Sequence, residues 1–473
     1  MREFANGGVY GSSMKSFVLS LALLPLVGCA SSGTSQVFRM LAVHDDHPVQ
    51  VAVLVVDLDT GETLLARDAR RLFRPASTQK LLTTSAICRR DLDGEFVTTL
   101  SASALPEGAV TLVGCGDPLL STKELRDMVR ELRSHGLTTA TKDICVVDPL
   151  HDAPRFGQGW MWDDEPDSFL PVMSAACIDS GCVTVEVTQG TSKPTVRLVP
   201  VAGALRVQVR ADEGSVKATR GRYRDPNLVT VTGRASEGKA VRKRITVPDA
   251  ARFTGHVLAD GMRREGCFTG EPNVVVTTRV PAASQRQGEV QLRRSVAEVV
   301  THTNKVSDNL GAEMLLRRLG TLHESAPTLG PDSQRLGVAA ITADLQQLGY
   351  QDSQFRIADG SGVSHYNLVS ADLLVRLLVD MHGLGGRSYE LFRSSLPIAG
   401  VDGTLASRMQ DSAAKDRVRA KTGTVSAVSN LAGYIDTRSG RRLAFAMLCQ
   451  NFAGSPKPWR TLQDRVCAVL ADM

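Results

Sequence analysis

The sequence predicts an α+β fold in which β-rich segments interrupt a mixed domain of helices and sheet. Three observations carry that prediction. Strand-like runs joined by tight turns stand near both ends of the chain. Short β-like runs fill the middle, between about Thr98 and Val280. From about Glu289 the apolar residues recur at helical spacing. The first and last hairpins then belong to one sheet, with the β-rich region inserted between them.

At the N-terminus, Lys15 precedes an apolar run from Phe17 to Val27. It is too short to span a bilayer and fits the apolar centre of a secretion signal. The run ends in Leu26-Val27-Gly28-Cys29, followed by Ala30-Ser31-Ser32-Gly33. This looks like a bacterial lipobox, so residues 1–28 are expected as signal, Cys29 as the lipidated first residue, and 29–45 as linker. The alternative is an ordinary cleaved signal with a chance cysteine. Met14 is a second plausible start, because Met1 to Ser13 has no role in such a signal.

Gln50 to Asp57 is valine-rich, Asp59-Thr60-Gly61 breaks it, and Thr63 to Ala66 resumes, which predicts a hairpin. Pro75 suits the entrance of a buried helix carrying Ser77, Lys80, Leu81 and Leu82. In the middle, Val183–Val187, Val196–Val199, Leu205–Val209 and Leu228–Val231 read as short strands between turn residues. Helices are predicted over Val296–Thr303, Asn309–Leu319, Gly337–Leu348 and Ser370–His382. Strands follow at Lys421–Val425, Ala432–Asp436 and Arg442–Cys449, with a turn at Thr437–Gly440. A last helix starts near Pro458, with Trp459, Leu462, Val466 and Leu470 along one face.

A chain of 473 residues exceeds one core and predicts about three domains. With 42% hydrophobic and 22% charged residues it has the composition of a globular protein. A net charge of +5 with scattered Lys and Arg gives no warrant for nucleic acid. Eight cysteines remain after Cys29: Cys88, Cys115, Cys145, Cys177, Cys182, Cys267, Cys449 and Cys467. An exported chain permits disulfides, and Cys177 with Cys182 is the best candidate pair. Cys88, Cys449 and Cys467 sit in apolar segments and are expected as buried thiols. The spacings form no zinc site, and no metal or cofactor is implied.

Three short motifs carry the chemistry: Ser77-Thr78-Gln79-Lys80, Ser307-Asp308-Asn309 and Lys421-Thr422-Gly423. Ser-x-x-Lys alone is weak, since it recurs at Ser12-Lys15, Ser236-Lys239 and Ser412-Lys415. Alone, each motif also has a bland explanation as a helix cap or strand edge. In this order, on these elements, they match a serine acyl-transfer site of the penicillin-binding type. Three residues make about one helical turn, so Ser77 and Lys80 share a face. A buried amine beside a second cation loses its proton readily and can take that of the serine. Lys80 is thus the expected base, with Lys421 as the second cation and Ser307 as the shuttle to the leaving group. Asn309 is expected to hold a substrate amide, and Lys421 with Thr422 a carboxylate. Gly423 is expected to let a strand edge approach the substrate. The backbone N–H groups of Ser77 and Thr424 would form the oxyanion hole.

At these residues the chain resembles the penicillin-binding D-alanyl-D-alanine carboxypeptidase/endopeptidase family, the low-molecular-mass class C or penicillin-binding protein 4 type. The resemblance covers most of the mature chain. It includes Arg74 to Lys80, Gly116-Asp117-Pro118, Gly159 to Asp164 and Asn304 to Asn309. It continues through Asp359-Gly360-Ser361-Gly362, Asn367 to Ser370 and Gly400 to Leu405. The gap of about 230 residues between the first two motifs also matches, because β-lactamases of the same fold have a far shorter one.

The resemblance implies a serine β-lactamase/DD-transpeptidase-like catalytic domain, split into 46–95 and 288–473. Its central antiparallel sheet would be flanked by helices and joined to an all-helical part. It also implies inserted domain II at 96–175 and 259–287, and β-rich domain III at 176–258. The implied substrates are peptidoglycan stem peptides ending in D-Ala-D-Ala, or cross-bridges between them. Ser77 would form an acyl-enzyme, and β-lactams would acylate it covalently. With the lipobox reading, the expected place is the periplasmic side, anchored to membrane through Cys29; the absence of aspartate after Cys29 favours the outer membrane where one is present, and a homodimer is allowed. Three departures stand out. Cys115 lies where the family often has glycine, His365 where it often has arginine, and Cys177-Ile178-Asp179 replaces a segment usually free of cysteine. Competing readings are a β-lactamase or esterase on the same scaffold, and a non-catalytic peptidoglycan-binding lipoprotein. The intact set Ser77, Lys80, Ser307, Asn309, Lys421 and Thr422 argues against the last.

Overall fold

The computed structural model describes residues 32–42, 48–103, 107–189, 194–201, 203–221, 224–236, 239–280, 286–323 and 328–473. The signal and lipobox residues, Cys29 among them, lie outside these. Among the described residues no helix is long and apolar enough to cross a membrane.

The two ends of the chain do share one sheet. Its five strands run in the order Val418–Val425, Val428–Asp436, Arg442–Gln450, Gln50–Asp57, Thr63–Arg67, each antiparallel to its neighbour. The join is made by Gln50–Asp57 against Arg442–Gln450, in register from Gln50↔Gln450 to Asp57↔Leu443. Its inner strands are apolar without alternation because both faces are covered. Val51, Val53 and Val55 share one buried cluster with Leu462, Val466 and Leu470 of the terminal helix Lys457–Asp472, which packs on Val428–Asp436. Ala52, Leu54 and Leu448 face the opposite core, where the helices Lys80–Arg90 and Ala371–Leu384 pack. Helices Val296–Val306, Asn309–Thr321, Ser333–Gln347 and Gly386–Ser395 complete the helical part beside the sheet.

The middle region is less purely β than its sequence texture suggested. A second five-stranded sheet, ordered Asn273–Thr277, Thr139–Val147, Glu107–Val113, Glu95–Ser103, Arg286–Ser295, is covered by two helices, Thr122–Ser134 and Ala250–Arg264. The first helix was legible: Ser121 and Glu124 form a capping box, and Leu125, Met128, Val129 and Leu132 make a buried stripe. Ala250–Arg264 packs on this second sheet and Arg286–Ser295 pairs with Glu95–Ser103, so the expected borders at 258 and 287 fall inside elements. Two three-stranded sheets lie between Cys182 and Thr246. That stretch holds 13 Lys and Arg against 5 Asp and Glu, a net +8 where the whole chain carries +5. Basic residues are enriched in this stretch and acidic ones sparse, while 42 of the chain's 55 Lys and Arg lie outside it.

The eight cysteines are all free thiols. The expected Cys177–Cys182 disulfide is absent. Each Sγ turns to a carbonyl of the intervening turn, Cys177 to Ile178 at 3.9 Å and Cys182 to Ser180 at 3.4 Å. Cys88, Cys449 and Cys467 are buried, and burial pushes each thiol up to about 12. Cys115 lies 3.4 Å from Thr98 Oγ1, a packing contact in the second sheet.

Candidate active site

Ser77 stands on a tight turn, Ala76–Gln79, immediately before the buried helix Lys80–Arg90. The sequence placed it on the helix itself. Pro75 leads into the turn, and Ala76 takes a left-handed φ of +47°, which costs an L-residue roughly 1–2 kcal/mol. Neighbouring segments hold it there. Asn430 Nδ2 donates to the Arg74 and Pro75 carbonyls at 2.9 and 2.8 Å. Gly362, with φ +84°, lies so close that a Cβ there would sit 1.8 Å from the Ala76 carbonyl oxygen.

Lys80 is fully buried. Its Nζ donates to Ser77 Oγ at 2.9 Å, Asn309 Oδ1 at 2.6 Å and the Ser361 carbonyl at 2.7 Å. Burial lowers its pKa to about 8, against the opposing pull of Asp359, Asp308 and Glu313. Lys421 is also fully buried, and its Nζ donates to Ser307 Oγ at 2.9 Å and to the Thr422 carbonyl at 3.0 Å. Burial first, and the Lys80 charge second, hold it well below the usual lysine range. This corrects the sequence argument. Desolvation is what lowers Lys80, and the repulsion between the two ammoniums falls on Lys421.

Ser307 closes the helix Val296–Val306 in a left-handed conformation, φ 62° and ψ 41°, while Asp308 caps the next helix through the Leu310 and Gly311 amides. The abrupt turn between the two helices aims Ser307 Oγ at Lys421. Asn309, expected to hold a substrate amide, has both ends of its own amide engaged within the protein. Besides accepting from Lys80, it donates Nδ2 to the Phe169 carbonyl at 2.6 Å, tying the inserted region to the cleft. Lys305 donates to Asp402 Oδ2 at 2.7 Å beside the short turn Gly403–Leu405, and Thr404 there accepts from Thr422 Oγ1 at 2.9 Å.

Gly423, expected to let a strand edge approach the substrate, also lies against the nucleophile turn. A Cβ there would meet the Pro75 carbonyl at 2.6 Å, Thr78 N at 3.0 Å and Ser77 N at 3.2 Å. The missing side chain thus lets the strand Val418–Val425 close on the nucleophile turn. The Thr424 backbone follows at the next position.

Sequence reasoning missed the polar support behind Lys80. Glu313 and Arg317 are buried together, their side chains 3.3 Å apart. Glu313 Oε1 accepts from the Gly360 and Ser361 amides at 3.0 and 2.9 Å, which sets the Ser361 carbonyl toward Lys80. Burial, with the Asp359 charge behind it, pushes the Glu313 carboxyl up to about 7. Asp359 accepts from the Gly362 and Ser364 amides, Asn367 Nδ2 and Trp160 Nε1 at 2.6–2.8 Å. A glutamate inside the apolar stripe of Asn309–Leu319 was the available signal.

Two cavities meet at Ser77 and Ser307. One, of about 540 Å³, is lined by Asn309, Phe169, Met161, Asp163, Asp164 and His365 among others. Burial and the Arg74 charge lower the His365 pKa, against Asp164. The other, of about 480 Å³, runs past Thr422 and Thr424. A nucleophile with a desolvated amine, a second serine–lysine pair, and a cleft open on both sides can transfer an acyl group between two peptide halves.

The sequence profile of the D-Ala-D-Ala carboxypeptidase 3 (S13) family matches residues 40–472. A D-alanyl-D-alanine carboxypeptidase of Actinomadura sp. (strain R39) is 30% identical over 514 aligned positions, covering 100% of this chain and 93% of that protein. Carboxypeptidase DacB of Mycolicibacterium smegmatis is 28% identical, covering 88% of this chain and 79% of its own. In fold, the crystal structure of penicillin binding protein 4 (dacB) from Haemophilus influenzae matches with a TM-score of 0.78 at 21% identity, over 93% of this chain and 99% of that one.

Proposed function

The chain belongs to the D-Ala-D-Ala carboxypeptidase 3 (S13) family, and from that premise we propose that it cleaves peptidoglycan peptides ending in D-Ala-D-Ala through an acyl-enzyme on Ser77. The observation that carries the residue assignment is the 2.9 Å contact from Lys80 Nζ to Ser77 Oγ. With its pKa near 8, Lys80 is neutral in roughly one molecule in ten at pH 7.

Neutral Lys80 takes the Ser77 proton as Oγ attacks the carbonyl carbon of the penultimate D-alanine. The oxyanion settles between the Ser77 and Thr424 amides. Ser307, held by Lys421, passes its hydroxyl proton to the departing nitrogen and takes the one carried by the Lys80 ammonium, so the C–N bond breaks and Lys80 is neutral again. Thr422 and Lys421 hold the carboxylate of the D-alanine that leaves. Water then attacks the ester; Lys80 takes its proton and passes it to Ser77 Oγ as the ester bond breaks, which frees the serine and the shortened peptide. A β-lactam enters the same first step with its ring carbonyl and stays attached, because its leaving nitrogen remains tethered to the acyl group.

Mass spectrometry of the mature protein after benzylpenicillin tests this, beside the Ser77→Ala variant. A penicilloyl adduct on the wild type alone is the expected result. An adduct on Ser77→Ala places the nucleophile elsewhere, and rapid drug hydrolysis without an adduct favours the β-lactamase reading. Export to the periplasmic side, with the lipid anchor at Cys29, the outer membrane as its site and a homodimer as its state, completes the proposal. Palmitate labelling, membrane fractionation and light scattering test these parts.

A further inference from the structure

Past Thr422 the cleft continues. The cavity of about 480 Å³ runs from Ser77 and Ser307 to the start of the terminal helix Lys457–Asp472, and its charged walls are Arg408, Lys457, Arg460 and Asp464. Asp464 is engaged, since it accepts from Arg408 Nε at 2.9 Å and Nη2 at 2.6 Å. Among the described residues, neither Lys457 nor Arg460 has a carboxylate partner. Both are exposed, yet they stand on a rigid element. Trp459 between them is buried, and Gln463 Nε2 one turn on donates to the Ser429 carbonyl at 2.9 Å. Arg460 Nη2 donates to Thr424 Oγ1 at 3.2 Å, which places a guanidinium beside the carboxylate-binding strand.

The side of the nucleophile decides what these cations meet. Asn309 lies in the other cavity, lined also by Asp163 and Asp164; on the peptidase reading that cavity takes the acyl half. Thr422 lies in this one, so it receives the half that leaves as an amine. The cleft is thus acidic where the acyl chain enters and basic where the product departs. A single D-alanine has one carboxylate, which Thr422 and Lys421 already take, and it leaves most of this cavity empty. A leaving peptide from a cross-linked wall strand carries further carboxylates into it.

Resting on the peptidase reading above, we infer that Lys457 and Arg460 are specificity-determining residues for the leaving group, selecting a peptide with carboxylates beyond the one held by Thr422. The bond cleaved and the proton path are unchanged. Charges on an open rim act mainly on encounter and selectivity, and such contacts weaken with salt.

The test compares kcat/KM for D-alanine release from a monomeric pentapeptide with that for cleavage of a cross-linked dimer, in the mature protein and in Lys457→Glu, Lys457→Arg and Arg460→Gln. Lys457→Glu lowers the dimer-to-monomer ratio about tenfold, Arg460→Gln lowers it a few-fold, and Lys457→Arg keeps it. Salt erodes the wild-type preference and leaves that of Lys457→Glu nearly flat. A ratio that stays within about twofold in Lys457→Glu overturns the inference while the wild type still hydrolyses both substrates. Failure of the wild type to hydrolyse either substrate or bind penicillin removes the peptidase reading first, and the inference with it.

Discussion

Gly423→Ala isolates one dimension of the site, because strand backbone accepts alanine at no conformational cost and only the neighbouring turn objects. The added methyl would stand 2.6 Å from the Pro75 carbonyl oxygen, 3.0 Å from Thr78 N and 3.2 Å from Ser77 N. All three are backbone atoms, in a turn already held by Asn430 and Gly362, so no side chain can swing aside. Ordinary contact begins near 3.4 Å, so strand and turn must separate by about 0.8 Å. The Thr424 amide moves with the strand, away from the oxyanion that Ser77 generates. Losing one such donor outright costs about 100- to 1000-fold, so a partial displacement should slow acylation by roughly 10- to 100-fold. The strain itself should cost about 1–3 kcal/mol of stability. Stopped-flow acylation with a fluorescent penicillin reads the first effect, and urea denaturation the second. Acylation within about twofold of wild type, in a folded variant, would refute the assignment of Thr424 to the oxyanion hole.

Two further outcomes follow from buried charges. Lys80 acts as a base only when neutral, and its pKa is near 8. Acylation by benzylpenicillin should therefore rise about tenfold between pH 6 and 7 and level off above about 8.5. A rate constant flat from pH 5 to 8 would remove Lys80 from that role. Replacing Glu313 by leucine strands Arg317, whose side chain is 2% exposed, and frees the Gly360 and Ser361 amides. About 3–5 kcal/mol of stability should go in urea unfolding, with part recovered by adding Arg317→Met; a loss under about 1 kcal/mol would mean that the pair is not ionised in the fold.

By itself the sequence determined the parts that depend on local pattern. The valine-rich run Gln50–Asp57 and the apolar Arg442–Gln450 announce covered strands, and the stripe Trp459, Leu462, Val466, Leu470 announces a helix with one buried face. The three motifs, by residue type and order, named the chemistry before any contact was known. Distance, burial and charge balance belong to the tertiary structure. Glu313, Asp359 and Ser361 reach Lys80 through segments more than 200 residues away in sequence, and no local spacing records that. Folding also decided that burial, and not Lys421, lowers Lys80, because desolvation is a property of everything packed around a group. Gly423 shows the division in one residue. Its identity is plain in the sequence, but its reason is a backbone carbonyl contributed by Pro75, 348 positions earlier, brought within 2.6 Å of where its side chain would be.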